Sequence, residues 1–208
     1  MSRPLKHILL SIFALAISLN SIAQTVWPTP EVEQMYRQAR EYHSNGNIKQ
    51  AAVLYQQAIR IAPDVVLVHR ELAHTYYLSG LYEEAKNTIE PIIKSGKADP
   101  ESYHIMAMAM DATGDSKKSK NLLRKGITQY PKSGMLFNQL GKIYENEDEK
   151  VYALETYLDG IEADPAYHLN YYDATHMYMY TNKMVWAILY GEMFLNMEHN
   201  TPRANETR

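Results

Sequence analysis

Two phrases of this chain, YQQAIRIAPD from Tyr55 and YLDGIEADPA from Tyr157, stand 102 residues apart, three times 34. The same interval runs through the whole chain. Small residues recur at Ala51, Ala85, Ser119, Ala153 and Ala187, and a second small series at Ala39, Ala73, Ala107, Gly141 and Thr175. Large residues recur at Tyr42, Tyr76, Met110, Tyr144 and Tyr178, and turn formers at Gly46, Gly80, Gly114, Asp148 and Asn182. Prolines mark Pro63, Pro131 and Pro165, with Lys97 in the remaining slot. A fixed period of this length is the signature of a stacked array, in which no unit can bury its apolar face alone.

Each series has a physical task. Gly, Asp and Asn tolerate positive φ best, so the turn series ends one helix and aims the next. The small series let paired helices approach closely, and the large series fills the space between neighbouring pairs. Proline cannot continue a helix interior, so its series closes each second helix. Between the marks the apolar spacing is helical, as in Leu72, Tyr76 and Leu78 and then Ala85 and Ile89. The unit is a helical hairpin, and the expected fold is all-α: five hairpins near 32–65, 66–99, 100–133, 134–167 and 168–199. A four-helix bundle does not require this period, and a coiled coil would need sustained heptads without glycine turns. Pro91 predicts a kink or early end in the second helix of repeat two, while Pro100 suits the first turn of the next helix.

Repeat four carries Phe137, Leu140-Gly141, Tyr144, Ala153, Tyr157 and Pro165, and repeat one carries Ala39, Tyr42, Gly46, Ala51, Tyr55, Ala58 and Pro63. This pattern resembles the tetratricopeptide repeat. Ile92 and Lys97 in repeat two, and Gly191, Phe194 and His199 in repeat five, depart from it. The resemblance implies a right-handed superhelical solenoid whose first helices line a concave face, and a role as a protein–protein interaction scaffold or assembly adaptor. It places Arg40, His43, Arg70, His74, His104, Lys142, Tyr172, His176 and Tyr180 in the groove as candidate binding residues. Basic and histidine side chains gather at one end, tyrosine and methionine at the other, which suits a peptide acidic at one end and apolar at the other. Some relatives of this kind clamp a C-terminal carboxylate with Lys and Asn at the fifth and ninth positions of the first unit. Tyr36 and Arg40 stand there, so that activity is not expected.

Where the chain works follows from its first 23 residues. Arg3 and Lys6 precede an apolar run from Ile8 to Leu19, and Ser21-Ile22-Ala23 offers small residues for cleavage. This is the pattern of a secretory signal, too short for the ~20 apolar residues of a membrane span. Cleavage would expose Gln24, start a linker over 24–31, and leave no spanning segment. A periplasmic or secreted protein is expected, and a chain with no cysteine suits a bacterial envelope. Losing the signal takes two of 21 basic residues and none of 24 acidic ones, leaving a net charge of −5. Nucleic acid is therefore not an expected partner.

Catalysis finds little support. His69, Glu71 and His74 form H-x-E-x-x-H rather than the H-E-x-x-H of a zinc protease helix. Glu71 with His74, and Asp173 with His176, resemble half-sites of di-iron bundles but lie three repeats apart. No cofactor or metal is expected, and a metal-dependent hydrolase subunit is only the alternative in another class. The last helix, MVWAILYGEMFLNM over 184–197, is apolar on nearly every face, and the polar tail over 200–208 is too short to cap it. Trp186 and Phe194 are therefore candidates for contact with a partner or with a second copy.

Overall fold

Eleven helices and no strand make up the described residues of the computed structural model, 27–198 and 201–207. The expected secretory signal with its expected cleavage point, and His199, lie outside the described residues. The hairpins are α1 (Pro30–Ser44) with α2 (Ile48–Ile61), α3 (Val66–Leu78) with α4 (Tyr82–Ser95), and α5 (Pro100–Ala112) with α6 (Ser116–Gln129). Then follow α7 (Gly134–Asn146) with α8 (Lys150–Ala163), α9 (His168–Tyr180) with α10 (Met184–Met197), and a short α11 (Pro202–Thr207).

All five positions of the turn series take positive φ: Gly46 at 75°, Gly80 at 74°, Gly114 at 82°, Asp148 at 61° and Asn182 at 56°. The next residue then donates its N–H back to the carbonyl of the large series, as in Asn47 N to Tyr42 O at 2.8 Å and Lys183 N to Tyr178 O at 2.9 Å. This is the six-to-one bond of a Schellman ending, so one large residue both wedges the hairpins and closes its own helix. A Cβ at Gly114 would meet nothing within 4 Å. Gly114→Ala is therefore expected to cost about 1 kcal/mol through the backbone alone, and Gly114→Asn less than that, as measured by urea denaturation. Equal costs for the two would show that something other than φ sets the turn.

Both small series are buried throughout, from Ala39 and Ala51 to Thr175 and Ala187. The polar members satisfy themselves locally: Ser119 Oγ donates to Ala107 O at 2.8 Å and Thr175 Oγ1 to Tyr171 O at 2.7 Å. The large series bridges neighbouring hairpins, with Gln56 Nε2 of α2 reaching Tyr76 Oη of α3 at 2.5 Å. Each second helix packs against the following first helix, and α3, α5, α7 and α9 touch one another in turn. That contact lines up the first helices as one face of the stack.

Two expectations are corrected. Helix α4 runs through Pro91 to Ser95 and ends at Gly96 with φ 73°, so no early end occurs. Pro91 and Asn87 are both exposed, which leaves the carbonyl that proline cannot pair on the solvent side. The tail expected to be too short to cap holds α11, which buries Ala204 completely and sets Thr207 against Gly191. Tyr172 Oη donates to Glu206 at 2.8 Å, and His168 stands 2.8 Å from Glu198. Phe194 is fully buried beneath this cover, against Tyr172 and His168. It is a core residue, not an interface residue.

Candidate peptide-binding groove

Asp99 is the hinge of the groove's chemistry. It caps α5 by accepting the Ser102 N–H at 2.8 Å, with Pro100 in the first turn. Its other oxygen accepts from Arg70 of α3 at 2.7 Å. Glu101 lies 3.7 Å and Glu71 3.9 Å from the same guanidinium. Arg70, Glu71, His74, Glu101, His104 and Met108 together line a depression of about 260 Å³ between α3 and α5. Arg70 is thus already held by three carboxylates and is not open to an acidic ligand.

The histidines beside it are neutral at pH 7. Burial pushes His104 down to about 4, with Lys142 adding to the effect and a Gln139 hydrogen bond opposing it. Burial also lowers His74, against the pull of Glu71. His43 extends the row toward α1, its ring 6.2 Å from that of His74. Thr75 Oγ1 donates to Glu71 O at 2.7 Å, so His43 Nδ1, 3.1 Å from the same oxygen, is the donor of that pair. Arg40 sits 5.9 Å above the Tyr36 ring.

A second polar group spans α7 and α9. Asn138 Nδ2 donates to Asp173 Oδ2 at 2.6 Å, and Lys142 Nζ lies 3.8 Å from the same oxygen. Burial raises Asp173 although Lys142 and Asn138 pull it down. His176 follows one turn later, its ring 4.4 Å from Tyr172 and its Nε2 buried without a hydrogen-bond partner. Burial, with help from Glu206, pushes the Tyr172 phenol up to about 12. Glu145 accepts from Tyr157 Oη at 2.8 Å on the same side.

The structure therefore brings together His43, His74, Arg70 and His104, and separately Lys142, Tyr172 and His176. Tyr180 stands apart, exposed at the hairpin edge with Lys150 Nζ 3.5 Å over its ring. The expected preference for an acidic ligand does not match this arrangement. Glu71, Asp99 and Glu101 outnumber Arg70, Glu145 and Asp173 outnumber Lys142, and neutral His74 and His104 add no charge. Register alone missed Asp99 and Gln139. The Asp-Pro pair was the available signal for the first, because Asp before a first-turn proline is an N-cap.

The H-x-E-x-x-H run does not bring its two histidines to one site. His69 is buried, with Nδ1 3.0 Å from Thr88 O and Nε2 2.9 Å from Pro63 O, so neither nitrogen is available beside His74. Among the described residues no group of three or more His, Asp or Glu is placed to hold a metal ion.

Residues 42–110 match the family model described as tetratricopeptide repeat. Among the solved structures similar over most of the chain are three tetratricopeptide-type folds. One is PilF of Pseudomonas aeruginosa, with TM-score 0.69 and 16% identity, covering 83% of this chain and 79% of that one. Another is a thermophilic tetratricopeptide-repeat protein of Thermus thermophilus, with TM-score 0.68 and 15% identity, covering 85% and 95%. The third is YrrB, described as a tetratricopeptide-repeat protein with an unusual peptide-binding site, with TM-score 0.54 and 17% identity, covering 83% and 89%. At these identities the likeness is one of fold. Residues 42–110 carry tetratricopeptide repeats, and the whole described chain has the fold of a tetratricopeptide-repeat solenoid.

Proposed function

We propose that this chain is a non-enzymatic protein–protein interaction scaffold, exported to the periplasm or beyond, that holds an extended peptide along its first helices. The peptide carries Lys or Arg side chains. The observation that supports this is the charge balance of the face: three carboxylates around Arg70 with Arg40 a further cation beside them, Asp173 beside Lys142, and neutral His74 and His104. A preformed surface of this kind loses little entropy when it binds, so modest contacts suffice. Export is supported by the leader pattern over 1–23.

The test uses the chain from Gln24 and labelled peptides of about a dozen residues, basic, acidic or neutral, read by fluorescence anisotropy. The basic peptide is expected to bind at least ~10-fold more tightly than the acidic one, and Glu101→Lys to remove that margin, with added salt weakening the preference. Tighter binding of the acidic peptide would reverse the charge assignment. No binding of any peptide near ~1 mM would remove the groove as the working surface. N-terminal sequencing of the exported chain is expected to begin at Gln24.

A further inference from the structure

Between Asp115 and Glu145 the chain carries seven of its 21 basic residues, and all 24 acidic ones lie elsewhere. Five of the seven stand on α6: Lys117, Lys118, Lys120, Arg124 and Lys125. Glu serves a helix interior as well as Lys does, so helix formation does not ask for one sign. The repeat shows that packing does not ask for it either. Lys117, Lys118, Arg124 and Lys125 are exposed. At the same four places α2 has Lys49, Gln50, Gln56 and Gln57, and α4 has Glu83, Glu84, Glu90 and Pro91. On α8 they are Val151, Tyr152, Leu158 and Asp159, and on α10 Val185, Trp186, Glu192 and Met193. Every kind of side chain serves the fold there, yet α6 fills all four places with cations.

These cations are poorly compensated within the chain. Lys120 turns toward the next hairpin, to Glu147 and Glu149, and Lys118 lies 3.0 Å from Asp115. Arg124 donates to Asn121 Oδ1 at 3.2 Å and to the Tyr144 hydroxyl, both neutral. Among the described residues no carboxylate pairs with Lys117, Arg124 or Lys125. Positions 117, 121, 124, 125 and 128 fall on one side of a helix, and the strip from Lys117 to Lys125 is about 12 Å long. Asn121 and Thr128 complete it with neutral polar groups, both exposed.

The neighbours of α6 decide the shape of what fits. The outward side of α4 carries Glu83 and Glu84, and that of α8 carries Glu155, Asp159 and Glu162, all exposed. A flat anionic bilayer laid on α6 would press against these carboxylates as well. The strip also offers no exposed large apolar side chain to enter a membrane. A single acidic strand can lie along α6 and leave the flanking carboxylates in water.

We propose that the outer side of α6 binds an acidic segment of a partner protein, a run of Asp and Glu side chains without basic ones, laid along Lys117, Arg124 and Lys125. The surface is independent of the groove, which is read by the basic peptide and Glu101→Lys. Exposed pairs of this kind are each weak and are screened by salt, so the affinity is modest. The chain from Gln24 is titrated at low salt into a labelled peptide of about a dozen residues, alternating Glu and Gly, and followed by fluorescence anisotropy. Binding near ~0.1 mM is expected, weaker than that of the basic peptide in the groove. Lys117→Gln with Lys125→Gln is expected to weaken it ~10-fold, and Lys49→Gln with Lys183→Gln, exposed lysines of other hairpins, less than ~2-fold. All four lysines are exposed, so helical circular dichroism stays intact, and the basic peptide binds the α6 variant as it binds the parent. Equal weakening by the two lysine pairs would reduce the effect to net charge and overturn the site. Absence of acidic-peptide binding at ~1 mM would overturn it as well. Co-sedimentation with phosphatidylglycerol vesicles that is lost in the α6 variant, while the acidic peptide fails to bind, would assign the strip to lipid instead.

Discussion

Tyr157→Ala is expected to lower the unfolding free energy by about 4 kcal/mol, the largest effect of any single truncation in the second half of the solenoid. The Tyr157 ring is fully buried between α7 and α8, and its hydroxyl donates to Glu145 at 2.8 Å. It lies flat against the backbone of Gly141. A Cβ built there would stand 2.4 Å from Cε1, 2.6 Å from Cδ1 and 2.9 Å from Cζ of the ring. No real Cβ tolerates such contacts, and a ring held by its hydroxyl cannot slide away. Gly141→Ala alone is therefore expected to cost about 2 kcal/mol, overpacking winning over the ~1 kcal/mol by which Ala is the better helix former. In the Tyr157→Ala background the clash is gone and only propensity remains, so the same substitution should stabilise by about 1 kcal/mol. Urea denaturation of the four proteins closes a double-mutant cycle. A Gly141→Ala effect of one sign in both backgrounds would show that the ring does not determine this glycine.

That cycle also shows where the sequence was informative. Gly141 belongs to the small series at 34-residue spacing, so the need for a small residue there was readable before any coordinates. The same holds for Asp148 and Asn182, whose positive φ followed from their standing in line with three glycines. Periodic positions repeat one physical task five times, and five weak signals in register make a strong one. Single-copy features have no such support. Asp99 interacts with Arg70 across 29 residues through a cap that occurs once with that partner, so Arg70 looked like a free cation. Phe194 looked like an exposed apolar residue because the polar composition of α11 hid its ability to bury Ala204 and cover the last hairpin. The depressed histidines were invisible for a related reason: a His at a groove position is charged or neutral according to burial and to its neighbours, and for His104 those neighbours include Lys142 and Gln139 of the following repeat.

His104 carries the second large effect, in the pH dependence of stability. Its imidazole sits near 4 in the folded chain, chiefly because burial disfavours the charged form. In the unfolded chain it returns to about 6.5. Between these values the unfolded chain holds a proton that the folded chain refuses, so ν_U exceeds ν_N and stability rises with pH. The contribution is fully present above about pH 6.5 and is lost as pH falls toward 4. It amounts to about 3 kcal/mol over the whole window, and about half of that is gone by pH 5.5. His74, also lowered, acts in the same direction. The carboxylates around Arg70 weaken at low pH as well, so the informative quantity is a difference between two proteins. His104→Gln keeps a polar partner for Gln139 but has nothing to titrate. Relative to its standing at pH 7.5, the variant is expected to gain about 2–3 kcal/mol on the parent chain by pH 4.5, measured as urea midpoints. A stability gap that stays constant from pH 7.5 to 4.5 would mean that His104 accepts its proton without unfolding. The floor of the groove would then open to water in acid, and the neutral row from His74 to His104 would become a cationic one beside the carboxylates of Glu71 and Glu101.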